Sequence, residues 1–457
     1  MPYRDFVFLH PPGIIVALAP WGLVSKLTHD TLGLELARVL TVLVGAVDAG
    51  LVVLAARRFS LVGAAAGGLL YAVWRPAVMA ETQPRLEPYL SLGLLIALAV
   101  LSRHRGPLSR WALVVAGAGL GFALTVKIWA AVPVLVVLLW CTGRWGARAA
   151  AHVLAALALT GTAICLPFLL AARGAMVAMV IGDQLGRPRT PPTVWDRLAG
   201  GLALYAHGEM HTGSRGVVLV AAAVVAPLLV WTWLTLRPGR PFTVLLVAQL
   251  LVLVASPSFY TFYPAYVAPA IALTAAAAVT AVAVRAPHTR VVVRSLHVTA
   301  VVVLALLIGG ALGSTARLDS TTETGHTFPA ALRSSVAGAR CVSSDSVGAL
   351  VLLDAFGNDL RHGCPELVDP AGLLYGRDKA VPLADGTVRS RSHNARWQRD
   401  MMRYLRSGQV EVLVRRYADG FGSSENRRLR GLRLVATEGG NQVFVDHHTV
   451  PSAGGRS

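Results

Sequence analysis

Before Ser314 the chain is a succession of apolar runs separated by short basic clusters, and that alternation constrains the fold more than any single motif. A helix needs about 20 apolar residues to cross the hydrocarbon of a bilayer. Runs of that kind are read at 39–56, 61–79, 89–101, 111–126, 129–141, 150–172, 217–236, 242–255, 264–284 and 296–313. The clusters between them are Arg57 and Arg58; Arg103, Arg105 and Arg110; Arg144 and Arg148; Arg237 and Arg240; and Arg285, Arg290 and Arg294. They follow the excess of basic residues that marks cytoplasmic loops. With every cluster on the cytoplasmic side the alternation runs without a reversal. It leaves 80–88, the turn at Lys127, 173–216, 256–263 and everything after Gly313 on the outer face.

Composition supports the same division. Only 14% of the 457 residues are charged and 54% are hydrophobic, against roughly 25% charged in an ordinary soluble domain. Nine of the 24 acidic residues precede Ser314 (Asp5, Asp30, Glu35, Asp48, Glu81, Glu87, Asp183, Asp196 and Glu209), so the character of the chain changes there. The net charge of +18 is dispersed among the loops and forms no basic stripe interleaved with aromatics, which argues against a nucleic-acid partner. The predicted fold is mainly α: a polytopic membrane helix bundle over 39–313, preceded by an outer loop and interfacial segment at 1–38. A C-terminal extracytoplasmic α/β domain follows over 314–457.

The segment 10–26 is apolar but interrupted by Pro11, Pro12, Gly13 and Pro20, and reads as interfacial or re-entrant. Ten crossings with an outer C-terminus place the N-terminus outside as well. Residues 1–38 show neither a cleavable signal nor a first anchor, so a helix upstream of Met1 in the gene product is expected. In the outer domain, strands are expected at 340–343, 410–414, 432–436 and 442–445, with a helix at 395–407. Cys341 and Cys364 bracket a polar stretch and in an oxidising compartment form a disulfide closing a loop of about 23 residues; the alternative is two unpaired thiols. Cys141 and Cys165 lie in or near helices, where they serve packing.

Ionisable groups beside a membrane need a partner or a function. Four outer features carry them. Tyr3-Arg4-Asp5-Phe6 precedes His10-Pro11-Pro12-Gly13, placing a carboxylate ahead of a rigid turn, although Arg4 and Asp5 are equally an exposed pair. Glu81 to Pro88 sets Glu81 and Glu87 around Arg85 in a very short loop, as a site or as a mutually neutralising cluster. Lys127 stands alone between two apolar runs, either snorkelling to water or holding a lipid phosphate. The long loop 173–216 carries Asp183, Arg187, Arg189, Trp195, Asp196, Arg197, His207, Glu209 and His211, and reads as functional or as interfacial helix. The aromatic cluster Phe259, Tyr260, Phe262 and Tyr263 suits an interface belt or a sugar-stacking surface. Asp48 lies inside a span, either paired with a basic residue of a neighbouring helix that the sequence does not name or protonated. Gly117, Gly119 and Gly121 lie in an apolar helix, where small residues permit close helix packing.

With these residues in view the chain resembles the GT-C fold membrane glycosyltransferases of bacteria, mannosyl- or arabinosyltransferase-like enzymes that use polyprenyl-phosphate-linked sugars. The resemblance rests on the 3–13 segment, Arg38 at the entry to the next helix and the Glu81–Glu87 loop. The segment from Gly121 to Lys127, the turn from Ser256-Pro257 to Tyr263-Pro264 and the outer C-terminal domain also fit. It implies inverting transfer of a hexosyl or pentosyl group from the polyprenyl-phosphate donor to a glycan, lipid or protein acceptor at the outer face of the plasma membrane. A carboxylate would take the acceptor proton and cations would meet the departing phosphate. The family's principal carboxylate follows a first helix, and Asp5 is the acidic residue ahead of the Pro-Pro turn here. The resemblance therefore casts Asp5 and Glu81 as catalytic, Glu81 and Glu87 as acceptor or sugar ligands, and His10, Arg85 and Lys127 as phosphate partners. No nucleotide or redox cofactor is implied; a divalent metal between Asp5 and Glu81 or Glu87 is conceivable, though no spacing requires one. The competing expectations are a transporter or lipid flippase, and a non-catalytic scaffold of envelope assembly.

Overall fold

The computed structural model describes residues 1–104, 106–184, 187, 192–203, 214–285, 330–370, 381, 389–414, 420–438 and 441–445. The expected span at 296–313, the change of character at Ser314 and Arg105, Arg189, His207, Glu209, His211, Arg290 and Arg294 lie outside these residues.

The membrane part opens with α1 (Gly13–Leu27), α2 (Asp30–Ala56), α3 (Leu61–Val73), α4 (Arg75–Glu81), α5 (Leu86–Arg103), α6 (Arg110–Val126), α7 (Ala131–Trp145) and α8 (Ala147–Ala172). The helices Val194–Gly201, Ser214–Thr235, Arg240–Ala255 and Ala268–Arg285 follow. Among the described residues seven helices are long and apolar enough to cross a membrane, or eight if α3 and α4, bent by 55° at Trp74, form one span. The chain is a multi-pass membrane protein. The 10–26 segment is largely the 15-residue apolar helix α1.

α2 begins at Asp30, nine residues before the expected span. Its outer end is polar yet helical: the His29 side chain accepts from Leu32 N, and Arg38 pairs with Glu35 at 2.6 Å one turn away. Caps and same-face ion pairs sustain a helix beyond its apolar stretch.

Lipid tails are as apolar as Leu, so close approach of small residues holds the bundle together. A Cβ on Gly117 or Gly121 would run into α8 at Val153 and Leu157, and one on Gly119 into α5 at Gly93. The three glycines therefore serve helix packing. α3 meets Ala268–Arg285 in the same way, through Gly63 and Gly67 and a 2.8 Å hydrogen bond between Ser60 Oγ and Thr280 Oγ1.

The C-terminal domain holds a four-stranded sheet in the order β1 (Val342–Ser344), β2 (Val410–Val414), β4 (Asn441–Val445), β3 (Arg433–Glu438). β1 is parallel to β2 with Val342 opposite Val410, and the other pairs are antiparallel. The helix Ala395–Leu405 is capped by Asn394, whose side chain accepts from Arg396 N and Trp397 N. Cys341 and Cys364 are disulfide-bonded with Cα atoms 5.7 Å apart.

This domain meets the bundle at the N-terminal end of α2 through an exchange of helix caps. Asp354 Oδ1 accepts from Thr31 N at 2.8 Å and Thr31 Oγ1 at 2.6 Å, covering donors in the first turn of α2. In return Asp30 Oδ2 accepts from Gly357 N at 2.7 Å, in the first turn of the helix Phe356–His362. Asp354 has φ 58°, a left-handed conformation that Asp tolerates better than most side chains. Leu34 packs on the outer core, and Val7 packs on the cluster around Trp397.

Candidate functional site

The site forms where α6 ends. Lys127 has extended backbone (φ −150°, ψ 130°), which breaks the helix before the single turn Ile128–Ala130. Its side chain is only 2% exposed and its ammonium lies 2.6 Å from Glu87 Oε1, itself 1% exposed. The same nitrogen sits 4.0 Å from the ring centroids of both Trp129 and Tyr263. A desolvated ammonium is stabilised by such partners, each ring face supplying on the order of 1–2 kcal/mol. Of the two expectations for Lys127, snorkelling to water does not hold, because an ion pair and two rings enclose the ammonium.

A second cation shares this neighbourhood. Arg187 Nη1 donates to Tyr263 Oη and to Ser258 Oγ, both at 3.4 Å. Its loop returns to the aromatic turn through Arg197, whose guanidinium donates to the carbonyls of Val254, Ser256 and Pro257. That clamp, with Ser256 Oγ donating to Ser258 O at 2.8 Å, positions the turn carrying Phe259, Phe262 and Tyr263. Phe259 and Tyr263 are buried and Tyr260 is exposed, so the cluster faces inward as much as outward. Arg85 lies 3.8 Å from the Phe262 ring centroid and donates to Gln83 Oε1 at 3.0 Å.

His10 joins from the N-terminal segment. A Cβ on Gly13 would lie 2.6 Å from Thr125 Oγ1, so α1 starts directly against the end of α6 and carries His10 towards Lys127. Tyr3 Oη donates to His10 O at 2.6 Å, and Gln184 Nε2 donates to Leu9 O at 2.5 Å and to His10 Nδ1 at 3.2 Å. Burial first, then the charges of Lys127 and Arg187, hold the imidazole well below its usual range. His10 is therefore neutral at pH 7, a polar neighbour of two cations.

The two carboxylates of the 81–88 loop part company. Glu87 turns to Lys127, whereas Glu81 ends α4 and faces α2, its carboxyl filling the space over Gly45. Asp48, one turn further along α2, is fully buried and accepts from Tyr71 Oη at 3.1 Å. Tyr71 also lies beside Glu81 and Ser91. Tyr71 is thus the partner of Asp48 that the sequence left unnamed. Neither Glu81 nor Glu87 is paired with Arg85 among the described residues, so the mutually neutralising cluster does not form there. Among the described residues, Asp48 Oδ1, Glu81 Oε1 and Glu87 Oε2 are buried oxygens without a hydrogen-bond partner.

Asp5 is placed apart. It is exposed, with Arg4 at 2.8 Å and the Met1 amino group at 2.6 Å. The hydrogen bond from Arg4, then that from the amino group, holds its carboxyl well below the usual carboxylate range. Among the described residues no three His, Cys, Asp or Glu side chains are grouped to hold a metal ion, and Asp5 faces neither Glu81 nor Glu87. Arg187, Gln184, Ser258 and Tyr71 are the site residues that the sequence did not assign.

A bent helix pair, a buried lysine at a helix break and an appended α/β domain sit on a polytopic membrane bundle whose fold is of the GT-C type. The solved structures similar to it are crystal structures of ArnT from Cupriavidus metallidurans. One is bound to undecaprenyl phosphate (17% identity, TM-score 0.55) and one is in the apo state (16%, 0.52); each comparison covers 96% of this chain and 88% of that one. No family model matches the chain, and no curated protein matches it in sequence. Identity this low establishes the fold alone.

Proposed function

We propose that this chain is a membrane glycosyltransferase that moves a sugar from a polyprenyl-phosphate donor to an acceptor at the outer face, with inversion. The observation that carries the reading is Lys127: a buried ammonium at the outer end of a helix break, with Arg187 and His10 in its neighbourhood. A phosphate leaving with a full negative charge is met best by cations already in place and shielded from water. Lys127, over the Tyr263 ring, and Arg187, at its hydroxyl, hold the lipid phosphate, and neutral His10 donates to it through Nε2–H. The likeness to a structure that contains undecaprenyl phosphate supports this lipid class.

The acceptor hydroxyl needs a base. Glu81 has a buried oxygen without a hydrogen-bond partner among the described residues, and Tyr71 lies close by. Asp5 is held ionised by Arg4 and is a correspondingly weak base. We assign proton removal to Glu81, binding of the sugar or acceptor to Glu87 and Arg85, and an outer-rim position to Asp5. The C-terminal domain then lies outside the cytoplasm, where its disulfide is stable. The sugar, hexosyl or pentosyl, is set by pocket shape.

Transfer of radiolabelled sugar from mannosyl, arabinosyl and glucosyl polyprenyl phosphates in membranes containing the chain tests the reading. Wild-type transfer lost in Lys127→Met and Glu81→Gln, and retained in Asp5→Asn, is the expected pattern. Loss in Asp5→Asn with retention in Glu81→Gln reverses the choice of base. Absence of transfer from every donor overturns the transferase reading.

A further inference from the structure

The outer domain contains a cavity of about 610 Å³ far from the Lys127 cluster in sequence and built from different elements. Pockets that take small-molecule ligands run from roughly 300 to 1,000 Å³. Its walls are the end of the helix Ala330–Val336, the disulfide-linked segment before β1 and the helix Phe356–His362. The charge on these walls is one-sided: Arg333, Arg340, Arg361 and His362 face a single carboxylate, Asp354. That carboxylate is already engaged by Thr31 N and Thr31 Oγ1.

Two of these side chains, neighbours on one helix, have a local reason to be where they are. Arg361 and His362 stand in the last turn of their helix, where positive charge complements exposed carbonyls. The same account covers Arg333, in the last turn of the helix Ala330–Val336, but it does not reach Arg340. An Arg333 Nη donates to Leu352 O at 3.2 Å, while its Nε is buried with no partner among the described residues. A buried guanidinium donor left unmatched at a cavity wall is matched by an acceptor that the ligand brings. Asn358 spends its side-chain amide on the carbonyls of Ala339 and Arg340, fixing the rim. Val336, Val342 and Leu353 supply an apolar floor.

We infer that this cavity binds an anionic saccharide, its carboxylate or phosphate held by Arg333, Arg340 and Arg361 and its ring against the apolar floor. Two anionic groups fit the same cations, a uronic acid carboxylate and a sugar phosphate. As the docking place of the acceptor, the cavity gives the proposed transfer a glycan that carries negative charge, and in that respect rests on the transferase reading. As a binding site it stands without it.

The test is calorimetric titration of the full chain, purified in detergent, with digalacturonate, neutral galactobiose, mannose 6-phosphate and inorganic phosphate. Arg340→Gln/Arg361→Gln is the probing variant, because both side chains are exposed and their removal spares the core. Tight digalacturonate binding, weakened about tenfold or more in the double variant and by salt, with galactobiose silent, is the expected result. Mannose 6-phosphate as the tighter ligand, with the same loss in the variant, identifies the anion as phosphate. Inorganic phosphate binding as well as either sugar, equal binding of galactobiose, unchanged binding in the double variant, or no binding at all overturns the proposal. Lys127→Met is the companion control: transfer from the lipid donor is lost while digalacturonate binding stays, so failure of one reading is told apart from failure of the other.

Discussion

Breaking the buried pair of Glu87 and Lys127 should cost far more than breaking a surface ion pair. The two side chains are 1% and 2% exposed and 2.6 Å apart, so water screens neither. Removing one partner strands the other as an uncompensated buried charge, worth roughly 3–5 kcal/mol, against about 0–1 kcal/mol for an exposed pair. Lys127→Met leaves Glu87 with no partner at either oxygen, since Oε2 already lacks one. Glu87→Gln leaves Lys127 with two aromatic faces. Glu87→Gln/Lys127→Met removes both charges and should recover most of either loss. Unfolding in mixed detergent and SDS micelles, followed by tryptophan fluorescence, measures all four proteins, and Trp129 lies 4.0 Å from the ammonium as a local reporter. The double variant should nevertheless remain inactive in transfer, because the phosphate has lost its cation. In Glu87→Gln the lipid phosphate can take the place of the missing carboxylate, so added undecaprenyl phosphate should stabilise this variant more than wild type. Single-variant losses below about 1 kcal/mol, or losses that simply add in the double variant, would refute the reasoning.

Other perturbations bear on the rest of the molecule. Gly45→Ala puts a methyl group into the space that the Glu81 carboxyl occupies; a loss of about 1–3 kcal/mol is expected, with transfer falling in parallel, both read in one preparation. Cys341→Ser/Cys364→Ser opens a loop of sequence separation 23 and should cost the outer domain about 3 kcal/mol, seen as faster proteolysis of that domain with the bundle intact. Asp30→Ala removes the cap on Gly357 N and should cost about 1 kcal/mol, released as hydrogen exchange at the start of the helix Phe356–His362. Burial raises Asp359 to about 6 and Glu366 to about 8. Both are raised carboxyls, so the folded domain holds their protons longer than the unfolded chain, and its stability falls as pH rises from about 4 to 8. Asp359 alone accounts for up to roughly 3 kcal/mol of that fall, and Asp359→Asn should flatten the lower half of the profile in a pH series of denaturation curves.

The alternation of apolar runs and arginines was enough to read a polytopic bundle, because lipid solvent forces that pattern on any spanning helix. β2 at Val410–Val414 and the helix beginning at Ala395 follow equally directly from local periodicity. The start of α2 was missed for a tertiary reason: Asp30 and Thr31 look like loop residues until the outer domain arrives to exchange caps with them. Glu81, Glu87 and Lys127 were visible as charges out of place beside a membrane. Their pairing was not, since a helix break separates Glu81 from Glu87 and sends one to α2 and the other to α6. Tyr71 gave no signal, as one tyrosine in an apolar run reads like any other. Arg187 lay among several charged residues of a long loop, and only the fold brings it to Tyr263.

The exchanged caps at the outer end of α2 turn that helix into a ruler. Asp30 is fixed to the outer domain and Gly45 lies under the Glu81 carboxyl. About 15 residues of helix separate them, or ~22 Å at 1.5 Å per residue. A molecule that is to touch the outer domain and Glu81 together must bridge a gap that no side-chain rotation can shorten. On the proposed transferase reading, an acceptor held where Asp30 meets the C-terminal domain would have to reach ~22 Å along the helix to Glu81.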